Sequence, residues 1–254
     1  MVLYFKDITA KDQVIYNEYE TNYYLAESLF KLNDNNSAKE AYFVLADSIN
    51  SKYYTRSVNR LAQLYFKENN YEESLKYYKD LELISKNNRE KIDSYVGSLT
   101  NYYFLKKFDS VQYYSQQINN FDKISFNNRN KINLLSAKSY LESGNISTGI
   151  DKLLTTINLV KDESAAEANY LLAKIFFDQG QKNQALESLY SLNENFSNNQ
   201  FWVGKSYILI AEIFISMGED FQANATLESL IENTDIMLIK NEAEKLINKL
   251  NTED

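Results

Sequence analysis

The chain has 254 residues, room for one or two globular domains or one repeat array, and its 44% hydrophobic content is enough to build a core. A formal charge of −8 excludes a general nucleic-acid binder, which needs a basic face to neutralise phosphates. Cysteine and histidine are both absent, which excludes disulfides, Cys/His zinc sites, cysteine nucleophiles and histidine general bases.

Proline is also absent and only six glycines occur, so little in the chain breaks helices. The segment Met1-Val2-Leu3-Tyr4-Phe5-Lys6-Asp7 lacks the basic-then-apolar order of a signal peptide. No apolar run approaches the ~18 residues that a membrane helix needs. Tyr4-Phe5-Lys6-Asp7-Ile8 parallels Tyr77-Tyr78-Lys79-Asp80-Leu81, and Phe5 precedes Tyr42 by 37 residues. Residues 1–16 are therefore expected to be half of an incomplete repeat. A lone half leaves its apolar face uncovered, so the chain is expected to be the C-terminal piece of a longer array.

From residue 17 onward the pattern leucine–small–x–x–aromatic–aromatic recurs. It reads Leu25-Ala26…Leu29-Phe30, Leu61-Ala62…Tyr65-Phe66 and Leu99-Thr100…Tyr103-Phe104, then Ser136-Ala137…Tyr140-Leu141, Leu172-Ala173…Phe176-Phe177 and Ile210-Ala211…Phe214-Ile215. The small position advances by 36, 38, 37, 36 and 38 residues, a near-constant period. About twelve residues later stands a second small residue, Ala38, Ser74, Gly149, Ala185 or Ala223, with a large one four further on. The third copy fits with a turn one residue shorter, giving Val111 and Ser115. Apolar residues at helical spacing on both halves predict two amphipathic helices per unit, touching where the small residues let the backbones approach. Asparagine or glycine in the turns Asn33-Asp34-Asn35-Asn36, Glu68-Asn69-Asn70, Ser143-Gly144-Asn145, Gln179-Gly180-Gln181 and Met217-Gly218-Glu219 can take the left-handed conformation that ends a helix. The repeats are expected at 17–52, 53–88, 89–125, 126–162, 163–198 and 199–234, followed by a capping helix and tail at 235–254.

The segment Arg60-Leu61-Ala62-Gln63-Leu64-Tyr65-Phe66, followed by Asn70-Tyr71-Glu72-Glu73-Ser74-Leu75-Lys76-Tyr77-Tyr78, resembles a tetratricopeptide repeat. The resemblance covers nearly the whole chain. It implies an all-α fold, a right-handed α–α superhelix of about six helix pairs with a leading half-repeat and a C-terminal capping helix. Two departures stand out: the period exceeds the family's usual length, and the closing proline is missing, so asparagine and glycine are expected to cap the repeat ends. The stretch from Phe201-Trp202 to Ala225-Thr226-Leu227 is similar to the last repeat of large tetratricopeptide scaffolds of the Bacteroidota, which implies an envelope-associated or periplasmic location for a fragment of such a protein and a cytoplasmic one otherwise.

In that family the first helix of each pair lines a concave face where peptides bind. Carried over position by position, the face holds Tyr23, Glu27, Phe30, Asn59, Gln63, Phe66, Asn101, Phe104, Lys138, Leu141, Tyr170, Lys174 and Phe177. The aromatics among them serve equally to pack neighbouring repeats together, and the mixed charges on that face equally make a solvated surface. Phe201-Trp202 reads as a staple at the entry to the last repeat. The expected function is a non-catalytic scaffold that binds a protein or peptide segment, without cofactor, metal or nucleic acid, as a monomer or a weak self-associate. Glycan capture and self-assembly at a bacterial surface are the alternatives.

Overall fold

The computed structural model describes residues 18–252 except 48, 50 and 251, so the expected leading half-repeat at 1–16 lies outside the described residues. All thirteen elements among the described residues are α-helices. Twelve form consecutive pairs: α1 (Glu18–Lys31) with α2 (Asn35–Ala46), α3 (Tyr54–Lys67) with α4 (Tyr71–Ile84), and α5 (Asn88–Phe104) with α6 (Phe108–Asn119). Then come α7 (Phe126–Glu142) with α8 (Ile146–Leu159), α9 (Glu163–Asp178) with α10 (Lys182–Asn195), and α11 (Gln200–Met217) with α12 (Asp220–Asn233). A last helix, α13 (Met237–Leu250), packs on α11 and α12. The chain divides into two compact units, up to Ile124 and from Ser125.

The turn inside each pair repeats one hydrogen-bond pattern. In the second pair, Asn69 N–H donates to Phe66 O at 3.0 Å and Asn70 N–H reaches back to Tyr65 O at 2.9 Å. This double bond satisfies carbonyls left open at the helix end and requires one residue at positive φ. That residue is Asn33, Asn69, Lys106, Gly144, Gly180 or Gly218 in the six pairs. Five of these belong to turns that the sequence marks with asparagine or glycine. Lys106, with φ of 55°, does not, because a lysine carries no local sign of a left-handed backbone. Lys106→Gly should therefore raise stability by about 0.5–1 kcal/mol in urea unfolding, since the side chain is exposed and the strain is local. The next helix then starts on a side-chain cap in several pairs: Asp34 Oδ1 accepts from Ser37 N, Asn70 Oδ1 from Glu73 N and Asn145 Oδ1 from Thr148 N.

The repeat ends correct an expectation. Among the six second helices only one ends on asparagine, Asn120; the others end on Val160 and Thr234 in extended conformation and on Asp47, Ser85 and Phe196. An extended residue stops a helix without needing positive φ, so neither glycine nor proline is required there. The long period is taken up partly by longer first helices, 17 residues in α5 and α7 and 18 in α11 against 14 in α1 and α3. In the second unit a buried asparagine also ties down a link between repeats: Asn130 Nδ2 donates to Val160 O at 3.0 Å and to Asp162 Oδ1 at 2.9 Å.

The small residues sit where the helices of a pair cross. Ala26, Ala38, Ala62, Ser74, Ala173, Ala185, Ala211 and Ala223 are wholly buried. Ser74 Oγ donates to Ala62 O at 2.8 Å, a bond that only such close approach allows. Around these crossings lie the large core side chains, with Tyr42, Leu45, Leu61 and Leu64 in the first unit and Leu153, Leu189, Ile213 and Leu227 in the second. Each fully buried leucine contributes about 2 kcal/mol through the apolar surface it removes from water.

Candidate partner-binding face

Within each unit the first helices of successive pairs approach one another: α3 touches α5, while α7 touches α9, α9 touches α11 and α11 touches α13. The backbones of successive second helices do not come as close. The first helices therefore line the inner side of each unit, and their outward-turned side chains form a candidate face for a partner.

In the first unit the face is built around one carboxylate. Glu27 on α1 accepts from Arg60 Nε at 2.8 Å and Arg60 Nη2 at 3.0 Å, both from α3, and from the Tyr42 hydroxyl at 2.7 Å. Burial pushes the Glu27 carboxyl up, but the hydrogen bonds from Arg60 and Tyr42 outweigh it and hold the group below the usual carboxylate range. Arg60 also donates to Gln63, whose amide donates to Asn59 at 3.0 Å. The Phe30 ring lies 4.4 Å from the Arg60 guanidinium and 4.6 Å from the Lys67 ammonium. Tyr23 is buried and stacks on Tyr53 with ring centres 4.5 Å apart. At the far end of these helices Phe66, Tyr71 and Phe104 make an aromatic cluster, with Tyr71 stacked on Phe104 at 4.8 Å and Phe104 still 45% exposed.

In the second unit, ion pairs link successive first helices. Lys138 on α7 meets Glu167 on α9 at 2.7 Å, and Lys205 on α11 meets Glu242 on α13 at 2.7 Å. Tyr170 packs beside Trp202, ring centres 5.5 Å apart, and Trp202 joins a buried cluster with Ala166, Leu192 and Phe196. Burial, with the carboxylates of Glu212, Glu242 and Asp178 nearby, pushes the Tyr170 phenol up to about 12. It is a neutral hydroxyl at any ordinary pH. Lys174 is exposed on the same face, and Phe177 packs into the core beside Ile213. Leu141 lies against Gly149.

Of the thirteen residues carried over by position, Asn101 is corrected. It is 0% exposed, and its Nδ2 donates to Gly97 O at 2.9 Å. The whole run Gly97-Ser98-Leu99-Thr100-Asn101 is buried, because small residues let neighbouring helices press on α5 from more than one side. Tyr23 is likewise a packing residue.

Two stretches of the sequence match tetratricopeptide repeat family models, residues 55–88 and residues 167–199, one in each unit. The chain carries tetratricopeptide repeats. Such repeats mediate protein–protein interaction. Among solved structures, a tetratricopeptide repeat protein from Parabacteroides merdae superposes with a TM-score of 0.67 at 14% identity, covering 96% of this chain and 90% of that one. The C-terminal part of a tetratricopeptide protein from Cytophaga hutchinsonii gives 0.63 at 12% identity, covering 95% and 92%. Rap protein in complex with competence and sporulation factor gives 0.55 at 12% identity, covering 98% and 80%. At such identities the likeness concerns the fold. No curated protein sequence matches the chain.

The position-by-position reading of the repeats missed Arg60, Tyr42, Tyr53 and Glu242, which hold or extend the face. The pairs carry a detectable signal: Glu27 and Arg60 are 33 residues apart, Lys138 and Glu167 are 29, and Lys205 and Glu242 are 37. Opposite charges offset by roughly one repeat on first helices mark side chains that bridge neighbouring repeats.

Proposed function

We propose that the chain is a non-catalytic scaffold that holds a segment of a partner protein against the first helices of its repeats. The observation that carries this is the close approach of successive first helices, which gathers their polar and aromatic side chains on one inner face of each unit. Glu27, Arg60, Gln63 and Asn59 are already joined in a hydrogen-bonded chain, so a partner would meet groups whose geometry costs little to arrange. Exposed Phe104 beside stacked Tyr71 offers an aromatic anchor of the kind that carries much of the energy in protein interfaces. The structural neighbour in complex with competence and sporulation factor is consistent with such use of the fold. With neither histidine nor cysteine in 254 residues, the face offers hydrogen bonds, charge and aromatic rings to a partner.

A photo-crosslinking benzoylphenylalanine at Phe104 or Lys174, both exposed on first helices, should capture the partner in cells of the source organism. The same probe at Tyr113 or Tyr190, exposed on second helices, should not. Capture from the second helices alone would move the site off the first-helix face.

A further inference from the structure

A cavity of about 630 Å³ opens between α11 and α12, on the side of the second unit away from the candidate partner-binding face. Gln200, Val203 and Tyr207 of α11 line it, whereas Lys205 and Glu242 pair on the inner face. Lys205 and Tyr207 are two residues apart, about 200° around the helix.

Where the cavity opens, the second helix carries a short side chain. Two residues beyond the crossing residue of the second helix, the other repeats carry Glu40, Lys76, Tyr113, Asp151 and Glu187, all exposed. Here the position is Ala225, which lines the cavity. Across from it stands Tyr207, 38% exposed, where the other first helices have Asn22, Val58, Val96, Asn133 and Asn169. The first departure leaves the cavity without a long side chain at Ala225, and the second puts a larger, aromatic one at its wall.

The formal charge of the lining is one-sided, although Gln200, Tyr207 and Ser229 bring donors as well as acceptors. The lining contains no lysine or arginine, and Asp235 contributes a carboxylate. Thr226 spends its hydroxyl proton on Gln222 O at 2.7 Å, and Asn233 Nδ2 donates to Ser229 O at 2.8 Å. Thr226 is left with its oxygen as an acceptor, and Asn233 with its Oδ1 acceptor and one N–H. Thr234 Oγ1 already accepts from Ile236 N at 3.2 Å. Val203 and Leu230 supply apolar wall. A carboxylate, several acceptors and an aromatic face favour a cation, and the apolar wall suits a methylene stem.

We propose that this cavity binds a cationic nitrogen group, an ammonium or guanidinium on a short apolar stem. It is a second binding site, independent of the first-helix face. The group belongs either to a free amine or to a lysine or arginine side chain of another protein.

The test is a titration of the full chain, labelled with ¹⁵N, at physiological salt so that diffuse attraction to the acidic protein is screened. The probes are n-butylammonium, the neutral isostere 1-pentanol, and a blocked pentapeptide of glycine and serine with a central lysine. Butylammonium should give saturable shifts at the amides of Tyr207, Ala225 and Ser229, and pentanol should not. Asp235→Asn should raise the dissociation constant about tenfold, the loss expected for one charge-assisted hydrogen bond. Ala225→Lys should abolish the shifts by placing its own ammonium in the cavity; it should fold normally, because Lys76 occupies the corresponding position of α4. Tighter binding of the peptide than of butylammonium assigns the group to a partner's side chain, and the reverse assigns it to a free amine. An equal response to pentanol, an unchanged affinity in Asp235→Asn, or no saturable shift at all overturns the proposal.

Discussion

Gly97→Leu is expected to destabilise the fold by about 3 kcal/mol, through overpacking at a site with no spare volume. A Cβ built on Gly97 lies 2.3 Å from Tyr78 Cε1 and 2.4 Å from Tyr78 Cδ1, far inside contact distance. The ring cannot simply swing aside, because Tyr78 is buried in a cluster with Val58, Ala62 and Leu81. Replacing glycine inside a helix ordinarily gains up to about 1 kcal/mol, so the expected loss runs against intrinsic propensity. Tyr78→Ala alone should cost about 3–5 kcal/mol by leaving a cavity. The double variant should be less destabilised than the sum of the two by about 2 kcal/mol, since leucine then occupies space the ring has left. Urea unfolding of the four proteins measures this directly. Strict additivity would show that the two residues do not compete for the same volume.

The same pair of residues shows how far the sequence could be read. The period of 36 to 38 residues and its small positions locate most of the crossings within helix pairs, because close approach of two backbones favours a small side chain; the third pair, with Val111, is the exception. Turns at Asn33, Asn69 and the three glycines are equally legible, since a left-handed residue leaves a local signature. Lys106 leaves none. Register alone places Asn101 at the position of Glu27, Gln63, Lys138 and Lys174, yet it is buried. The sequence does show Gly97 and Ser98 beside it, and two small residues in succession let helices close over that stretch. The interior of the candidate face was hardest to foresee, because Glu27 and Arg60 become partners only once α1 and α3 are in place. The cavity beside Ala225 is a loss of side chain rather than a motif, and it emerges only when all second helices are compared at one position.

Glu27→Gln is expected to cost about 2 kcal/mol near neutral pH, and that cost should disappear in acid. The carboxylate receives two bonds from the Arg60 guanidinium and one from the Tyr42 hydroxyl, and glutamine cannot accept all three. The variant leaves a guanidinium that also stacks on Phe30 without its counter-charge. Because the folded carboxyl titrates below the usual carboxylate range, its contribution is complete above the unfolded value of about 4.3 and is lost as pH falls through the lower folded value. Below that point both states are protonated, and wild type and variant should converge. Salt should matter little to the difference, since the Glu27 side chain is only 16% exposed. Urea unfolding of both proteins, stepped from about pH 7 to about pH 3.5, reads the effect. A gap that stays constant across that range would mean that Glu27 acts through its shape, and that charge on the first-helix face contributes nothing to holding α1 against α3.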